Sequence, residues 1–308
     1  MISVIVCSIN DKVFAEFSQN ISDTIGTAYE IIRIDNSGNT DSICSAYNKG
    51  AKRAVYEIVC FVHEDVFFHT NDWGKTVSKI FAEPDAPGLL GIAGSRYKSF
   101  APASWGLIPA ERFINIIQQH KYRTLEAFHH FENPTGQSLA DVVCIDGVWM
   151  CTTRSIALEI GFDDITLQGF HGYDIDFSLA IYKKYRVAVT FDVLLAHFSE
   201  GRNDRSWVIE MMKLHKKWKK ELPLSNMSGK NIGLNVYEGS AVHHFLELMM
   251  SLKFPAKEIF SMLEYNNQNP NLNRNFLISL KFRALKYFFV HSWPGRFLAK
   301  SRSISAQA

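Results

Sequence analysis

The sequence predicts an α/β fold, a mostly parallel sheet flanked by helices with a helical C-terminal appendage. Three observations carry that expectation. Continuous apolar runs alternate with amphipathic stretches near the amino terminus, as they do when parallel strands are buried on both faces by crossover helices. Several of these runs stop abruptly on carboxylates, as strands do where they leave a core. From about Asp204 onward the pattern is helical only. With 308 residues and 47% hydrophobic content, the chain can bury a sizeable core.

In order, "ISVIVCSI" is a β-rich run and "DKVFAEFSQNISDTI" carries apolar residues at helical spacing. "YEIIRIDN" is a second strand, "DSICSAYNKGAKRA" a second helix and "EIVCFVHED" a third strand, each crossover being right-handed. "LLGIAGS", from Leu89, follows a helix over Trp73 to Phe81. Between Arg96 and Ala140 the regularity fails, with Pro102, Pro109, Pro134 and a His- and aromatic-rich passage, which reads as a lid or excursion. "DVVCIDGVWMCTT" reads as a strand pair or bent strand, followed by a short helix from Arg154, the helix "DIDFSLAIYKKY" and the strand "RVAVTFDVLLAHF". The expected division is an α/β domain over 1–203, made of 1–95, an insert at 96–140 and 141–203, followed by a helical region at 204–308.

A net charge of +2 hides a gradient, because Lys and Arg cluster after Arg202. "KLHKKWKKEL" sets Lys213, Lys216, Lys217, Lys219 and Lys220 around Trp218; such a helix either meets a membrane surface or packs with a solvated basic face. The small, localised excess argues against nucleic-acid binding. No apolar stretch reaches the roughly 18 residues of a membrane span, and no basic flank precedes the first apolar run, so a cytoplasmic location is expected. The five cysteines lack C-x-x-C spacing and read as reduced core residues.

Acidic residues gather at strand and loop ends: Asp35, Asp65, and Asp174 with Asp176. In a parallel sheet the ends of the second and third strands lie on one edge, where open α/β sheets bind ligands, so Asp35 and Asp65 can face one crevice.

The segments "ISVIVCSIND", "IRIDNSGNTD", "SAYNKGAKRA" and "FVHED" resemble the nucleotide-sugar half of family 2 glycosyltransferases, which have the GT-A fold. "IDGVWMCTTRS" and "GYDIDFSLAI" resemble the acceptor half, so the resemblance spans about two thirds of the chain. It implies a nucleoside pocket of Ser8, Asn10, Asp35, Asn36 and Asn48. It also implies a manganese or magnesium site on Asp65, with His63 at the family's first acidic position and His197 as a further contact or a structural residue. Asp174 takes the place of the family's general base, with Tyr173 in place of the preceding acid, and Asp146 and Trp149 fall in the segment lining the acceptor site, where Trp149 reads equally as core. The implied activity is inverting transfer from a nucleotide-sugar donor, UDP-linked by analogy, to a glycan or lipid-linked glycan hydroxyl in bacterial surface-polysaccharide biosynthesis. His63 and Tyr173 also suit a catalytically silent glycan- or nucleotide-binding scaffold. A sugar nucleotidyltransferase is disfavoured, because no Gly-rich basic loop lies near Asn10.

Overall fold

The computed structural model describes residues 1–119, 126–199, 201, 203–227 and 233–291. The N-terminal elements are β1 (Ile2–Ser8), α1 (Asp11–Thr24), β2 (Tyr29–Asp35), α2 (Ile43–Arg53), β3 (Ile58–His63), β4 (Val66–Phe68) and α3 (Trp73–Ala82). Next come β5 (Leu89–Gly91), β6 (Ala93–Ser95), β7 (Tyr97–Lys98), β8 (Arg112–Gln119), β9 (Phe128–Glu132), β10 (Leu139–Val142), β11 (Cys144–Ile145) and β12 (Trp149–Thr153). The remainder is α4 (Arg154–Ile160), α5 (Tyr173–Tyr182), β13 (Val187–Thr190), β14 (Leu195–Phe198), α6 (Arg205–Lys217), β15 (Leu224–Ser225), α7 (Leu234–Ser251), α8 (Ala256–Tyr265) and α9 (Arg274–His291).

The first sheet runs β10-β13-β5-β12-β3-β1-β2. Its N-terminal strands β2, β1 and β3 are parallel, with the apolar β1 and β3 inside the sheet and β2, which carries Glu30 and Arg33, at its edge, whereas β12 enters antiparallel between β3 and β5. Alternation sends successive side chains to opposite faces. Ile5, Cys7, Val59 and Phe61 join a core that continues into the C-terminal helices, while Val4, Val6, Cys60 and Val62 join a second core beneath α1 and α3. Both faces of β1 and β3 are covered, which is why these two strands read as continuous apolar runs.

A second sheet, β11-β6-β8-β14-β4 with β9 paired to β8, lies beside the first. The 96–140 stretch supplies its β8–β9 hairpin, so the segment that reads as irregular contains extended structure. Arg112, Ile114, Ile116 and Gln118 share one face of β8, but apolar residues on both faces (RFINIIQQ) blur the alternation in sequence. Residues 120–125 fall outside the described residues.

Cys60 and Cys151 face each other across β3 and β12 with Cα atoms 4.2 Å apart and are disulfide-bonded, which corrects the reading of five reduced thiols. The pair is distant in sequence, so local spacing carried no sign of it. Cys7, Cys44 and Cys144 are free and buried.

The C-terminal helices share their core with the sheet: Val208, Met211 and Leu214 of α6 and Phe245 of α7 lie in one cluster with Phe177 and Val187. A buried polar network ties them to the chain after β7. Glu238 of α7 accepts hydrogen bonds from the Tyr97 hydroxyl (2.6 Å), the backbone N–H groups of Phe100 (2.9 Å) and Ala101 (2.8 Å), and the Asn269 amide (2.9 Å). Beside it, the buried Lys98 donates to the Ala103 carbonyl (2.8 Å) and contacts His215 Nε2 (3.0 Å). Burial pushes Lys98 down to about 8, and burial with the neighbouring Lys98 holds His215 well below its ordinary range, so the imidazole is neutral.

Removing the Glu238 carboxyl orphans several buried donors at once. Glu238→Ala should therefore lower the unfolding free energy by about 3 kcal/mol or more in a urea titration; a loss under about 1 kcal/mol would show that the network contributes little.

Candidate active site

The chain passes from the first sheet to the second at Glu64–Asp65, between β3 and β4, and back at Asp146–Gly147–Val148, between β11 and β12. Both crossings meet at the C-terminal end of β3, where the His63 N–H donates to the Val148 carbonyl (3.1 Å). Glu64 secures the first crossing by accepting the Ile9 N–H at 3.2 and 3.3 Å. The Asp65 carbonyl accepts the Phe198 N–H (2.9 Å), which draws β14 alongside and sets His197 opposite Val66.

These constraints gather His63, Asp65 and His197, each offering one ligand atom within 4.8 Å of the others. Asp65 Oδ1 lies 4.0 Å from His63 Nδ1 and 3.6 Å from His197 Nε2. Burial, reinforced by the nearby His63 and opposed by Asp65, lowers the pKa of His197, which keeps a lone pair available near neutral pH. One carboxylate with two imidazoles fits a divalent ion that accepts nitrogen as well as oxygen; manganese matches this donor set better than magnesium, which prefers oxygen ligands.

Tyr173 sets the state of His63. Its hydroxyl lies 2.6 Å from His63 Nε2 and donates its proton to the Gly147 carbonyl at 3.2 Å. Both contacts are hydrogen bonds at once in the tautomer in which Nε2–H of His63 donates to Tyr173, which is also the tautomer that serves a metal ligand. The Nδ1 lone pair is thereby left facing Asp65. A hydrogen bond at the second imidazole nitrogen is the usual device for fixing a ligating histidine. A Cβ at Gly147 would collide with the Tyr173 hydroxyl, so this contact requires glycine.

Asp174, in the first turn of α5, accepts the Gly147 N–H at 3.1 Å. Burial and then the neighbouring Asp146 push its pKa up to about 7, with backbone N–H groups opposing the rise. A carboxylate titrating there is matched to proton abstraction near neutral pH. Asp146 is itself held by the Trp105 indole N–H (2.7 Å) and the Val148 N–H (2.9 Å).

The expected nucleoside residues lie on the same sheet edge, with Ser8 in register with Asp35 and Cys7 with His63. Their side chains differ in availability. Asp35 is exposed, and the Ser37 N–H that it accepts lowers its pKa. Ser8 is buried and accepts from Arg33 Nε (3.1 Å), and Asn10 caps α1 by accepting from Lys12 and Val13. Asn36 closes its own turn, accepting from Thr40 and Asp41 and donating to the Asp41 carbonyl. Asn48 instead ties α2 to the backbone N–H and carbonyl of Phe162. Strand ends and asparagines were legible in sequence; the internal partners that occupy them were not.

Trp149 does not face an acceptor. It is fully buried, because its place in β12 points it into the core against Trp73 and Phe68. The indole that lies near Asp146 belongs to Trp105, inside the stretch whose sequence gave no regular pattern. Asp176 is also structural, buried and bonded to Lys217 (2.9 Å) and the Trp218 indole (2.7 Å). The basic helix therefore uses Lys217 to hold α5, while Lys213 pairs with Glu210 (2.9 Å).

On this frame a cluster whose ligand atoms could hold a divalent ion and a near-neutral carboxylate meet at a sheet edge, an arrangement suited to group transfer from a charged donor. Residues 3–223 match the profile of the family described as "Glycosyltransferase like family", and the chain belongs to it. Among solved structures, TarS residues 1–349 of S. aureus, in complex with UDP-GlcNAc, is 13% identical, with 96% of this chain and 74% of that one covered and a TM-score of 0.42. The mannosyltransferase PcManGT of Pyrobaculum calidifontis, in complex with GDP-Man and Mn2+, is 13% identical, with 100% and 80% covered and a TM-score of 0.45. GalNAc-T7 with UDP, GalNAc and Mn2+ is 10% identical, with 88% and 58% covered and a TM-score of 0.48. No curated protein matches the sequence.

The raised pKa of Asp174 has a stability consequence whose sign is fixed. A carboxyl whose folded pKa exceeds its unfolded value stabilises the fold while protonated and loses that contribution as pH rises through the folded pKa. Asp174→Asn, a mimic of the protonated group, should raise Tm by at least about 2 °C at pH about 8 and hardly at all near pH about 4. Thermal melts showing the same increment at both pH values would contradict the burial argument.

Proposed function

We propose that this chain is an inverting glycosyltransferase that moves a sugar from a nucleotide diphosphate donor to a glycan or lipid-linked glycan hydroxyl. The observation that carries the proposal is the meeting, at one crossing between sheets, of the His63–Asp65–His197 cluster with Asp174. In this reading Asp35 binds the nucleoside at the exposed sheet edge. Ser8, Asn10, Asn36 and Asn48 shape that edge through the internal bonds described above. His63, Asp65 and His197 hold a divalent ion, manganese by their donor set, which when bound neutralises charge on the diphosphate. Asp174 removes the acceptor proton as the acceptor oxygen bonds to the anomeric carbon and the bond to the diphosphate breaks, the nucleoside diphosphate leaving from the opposite face. Gly147 aims the Asp174 carboxylate, and Asp146 keeps it weakly acidic.

The rate should fall as pH drops below about 7, because protonated Asp174 cannot accept a proton. No helix among the described residues is long and apolar enough to cross a membrane. For a lipid-linked acceptor in a cytoplasmic reaction, α9 is the better peripheral surface, since it exposes Phe282 and Leu285 whereas the lysines of α6 are partly engaged with the α/β core.

Calorimetric titration with UDP, GDP and CDP, with and without manganese, tests the proposal. One nucleotide should bind, at least about tenfold more tightly with manganese, and Asp65→Ala should abolish that gain. Tyr173→Phe should weaken manganese binding about tenfold while retaining the ring packing, because the hydroxyl's bonds to His63 and to the Gly147 carbonyl are lost. Failure of all three nucleotides to bind would remove the transferase reading.

A further inference from the structure

The cleft of about 240 Å³ beside Trp105 opens onto Asp146 and His197 and so belongs to the active site, whereas α9 lines no part of it and carries a separate feature. At about 100° per residue, Ile278, Phe282 and Leu285 fall on one stripe of that helix. They are exposed at 39%, 67% and 53%, while Leu277, Leu280 and Ala284, turned the other way, are buried in the core shared with α7 and α8. Apolar residues scattered singly over a surface are ordinary, but three aligned on one helix face form a patch.

Cations border the stripe. Arg274 and Lys281 lie on one flank, and Arg283 and Lys286 on the other. Lys281 pairs with Glu264 of α8 at 3.1 Å and Arg283 with Glu247 of α7 at 2.6 Å, which fastens α9 to its neighbours. Arg274 and Lys286 are exposed and, among the described residues, make no ion pair. The segregation of charge extends further along the sequence. Residues 274–308 contain seven Lys and Arg and no Asp or Glu, so with a net +2 for the whole chain, residues 1–273 carry a net −5. An anionic surface therefore attracts this end and repels the rest, which sets orientation as well as affinity.

The partner must be negatively charged and must also offer an apolar phase. A nucleic acid supplies phosphates but no interior for Ile278 and Leu285. A second copy in a two-fold contact brings the same cations face to face. A bilayer containing anionic lipid supplies both, with phosphates at the flanks and acyl chains beneath the stripe. No helix among the described residues is long and apolar enough to cross it, so α9, about 27 Å long, lies along the surface.

We infer that the stripe of Ile278, Phe282 and Leu285, with its flanking cations, seats the chain on a bilayer rich in anionic lipid, with α9 in the plane of the headgroups. The inference rests on the transferase reading for its purpose, access to a lipid-linked acceptor; the binding itself stands on α9.

Flotation of the full chain with vesicles tests it, one set made of phosphatidylglycerol and phosphatidylcholine in equal parts and the other of phosphatidylcholine alone. The expected result is at least about tenfold tighter binding to the anionic set, weakening as salt is raised. Phe282→Ser combined with Leu285→Ser should weaken that binding about tenfold or more, and Lys286→Glu about fivefold or more. Because these side chains are exposed, the variants should keep the Tm and the nucleotide binding of the unaltered chain. Equal binding to both vesicle sets, or binding that salt abolishes and the serine substitutions leave unchanged, would overturn the inference. So would a preference for single-stranded RNA over vesicles, or a dimer that the serine substitutions dissociate with no vesicle binding. Vesicle binding without nucleotide binding would support the surface and remove the transferase reading; nucleotide and manganese binding without vesicle binding would do the reverse.

Discussion

The structure depends on one constraint, the transfer of strands between two sheets at Asp65 and Asp146. A chain leaving a sheet must satisfy its backbone groups elsewhere. Here the bonds from Ile9 to Glu64, from Phe198 to the Asp65 carbonyl and from His63 to the Val148 carbonyl do so. The same bonds fix the directions of His63, Asp65 and His197. Functional geometry is therefore a by-product of closing the backbone at the crossing, and the glycine between Asp146 and Val148 permits the approach of Tyr173.

The helical C-terminal region supports this edge from behind. Glu238, His215 and Tyr265 hold the segment around Phe100, from which the chain runs on to Trp105. Asp176, Lys217 and Trp218 hold the start of α5, next to Asp174. Buried polar groups with complete partners rigidify what they connect. The helices thus act as the floor of the site, and part of their positive charge faces inward: Lys217 bonds Asp176 and lies over the Trp218 ring at 5.6 Å.

Much of the frame was legible because strands buried on both faces must be apolar along their whole length, and β1 and β3 are read correctly for that reason, while the β-branched residues of β2 mark the edge strand beside them. Asp65 stood out as a carboxylate ending an apolar run, and Asp174 as one at the start of a helix, each in a segment that resembles the family's motifs. The misreadings share a cause. Trp149 lies in a central strand buried on both faces, so neither direction would bring it to an acceptor, and sequence alone does not reveal that the strand is central. Asn36 and Asn48 are polar in the expected places, but their partners decide whether they are available to a ligand.

By itself the sequence determined the α/β order of elements and the family, since periodicity and strand-end chemistry are local properties. Tertiary structure decided the rest: the second sheet, the Cys60–Cys151 bond, the contact between His63 and Tyr173, the elevated pKa of Asp174 and the cleft beside Trp105. Each arises from groups far apart in the chain, whose burial and mutual distance exist only after the strands have changed sheets.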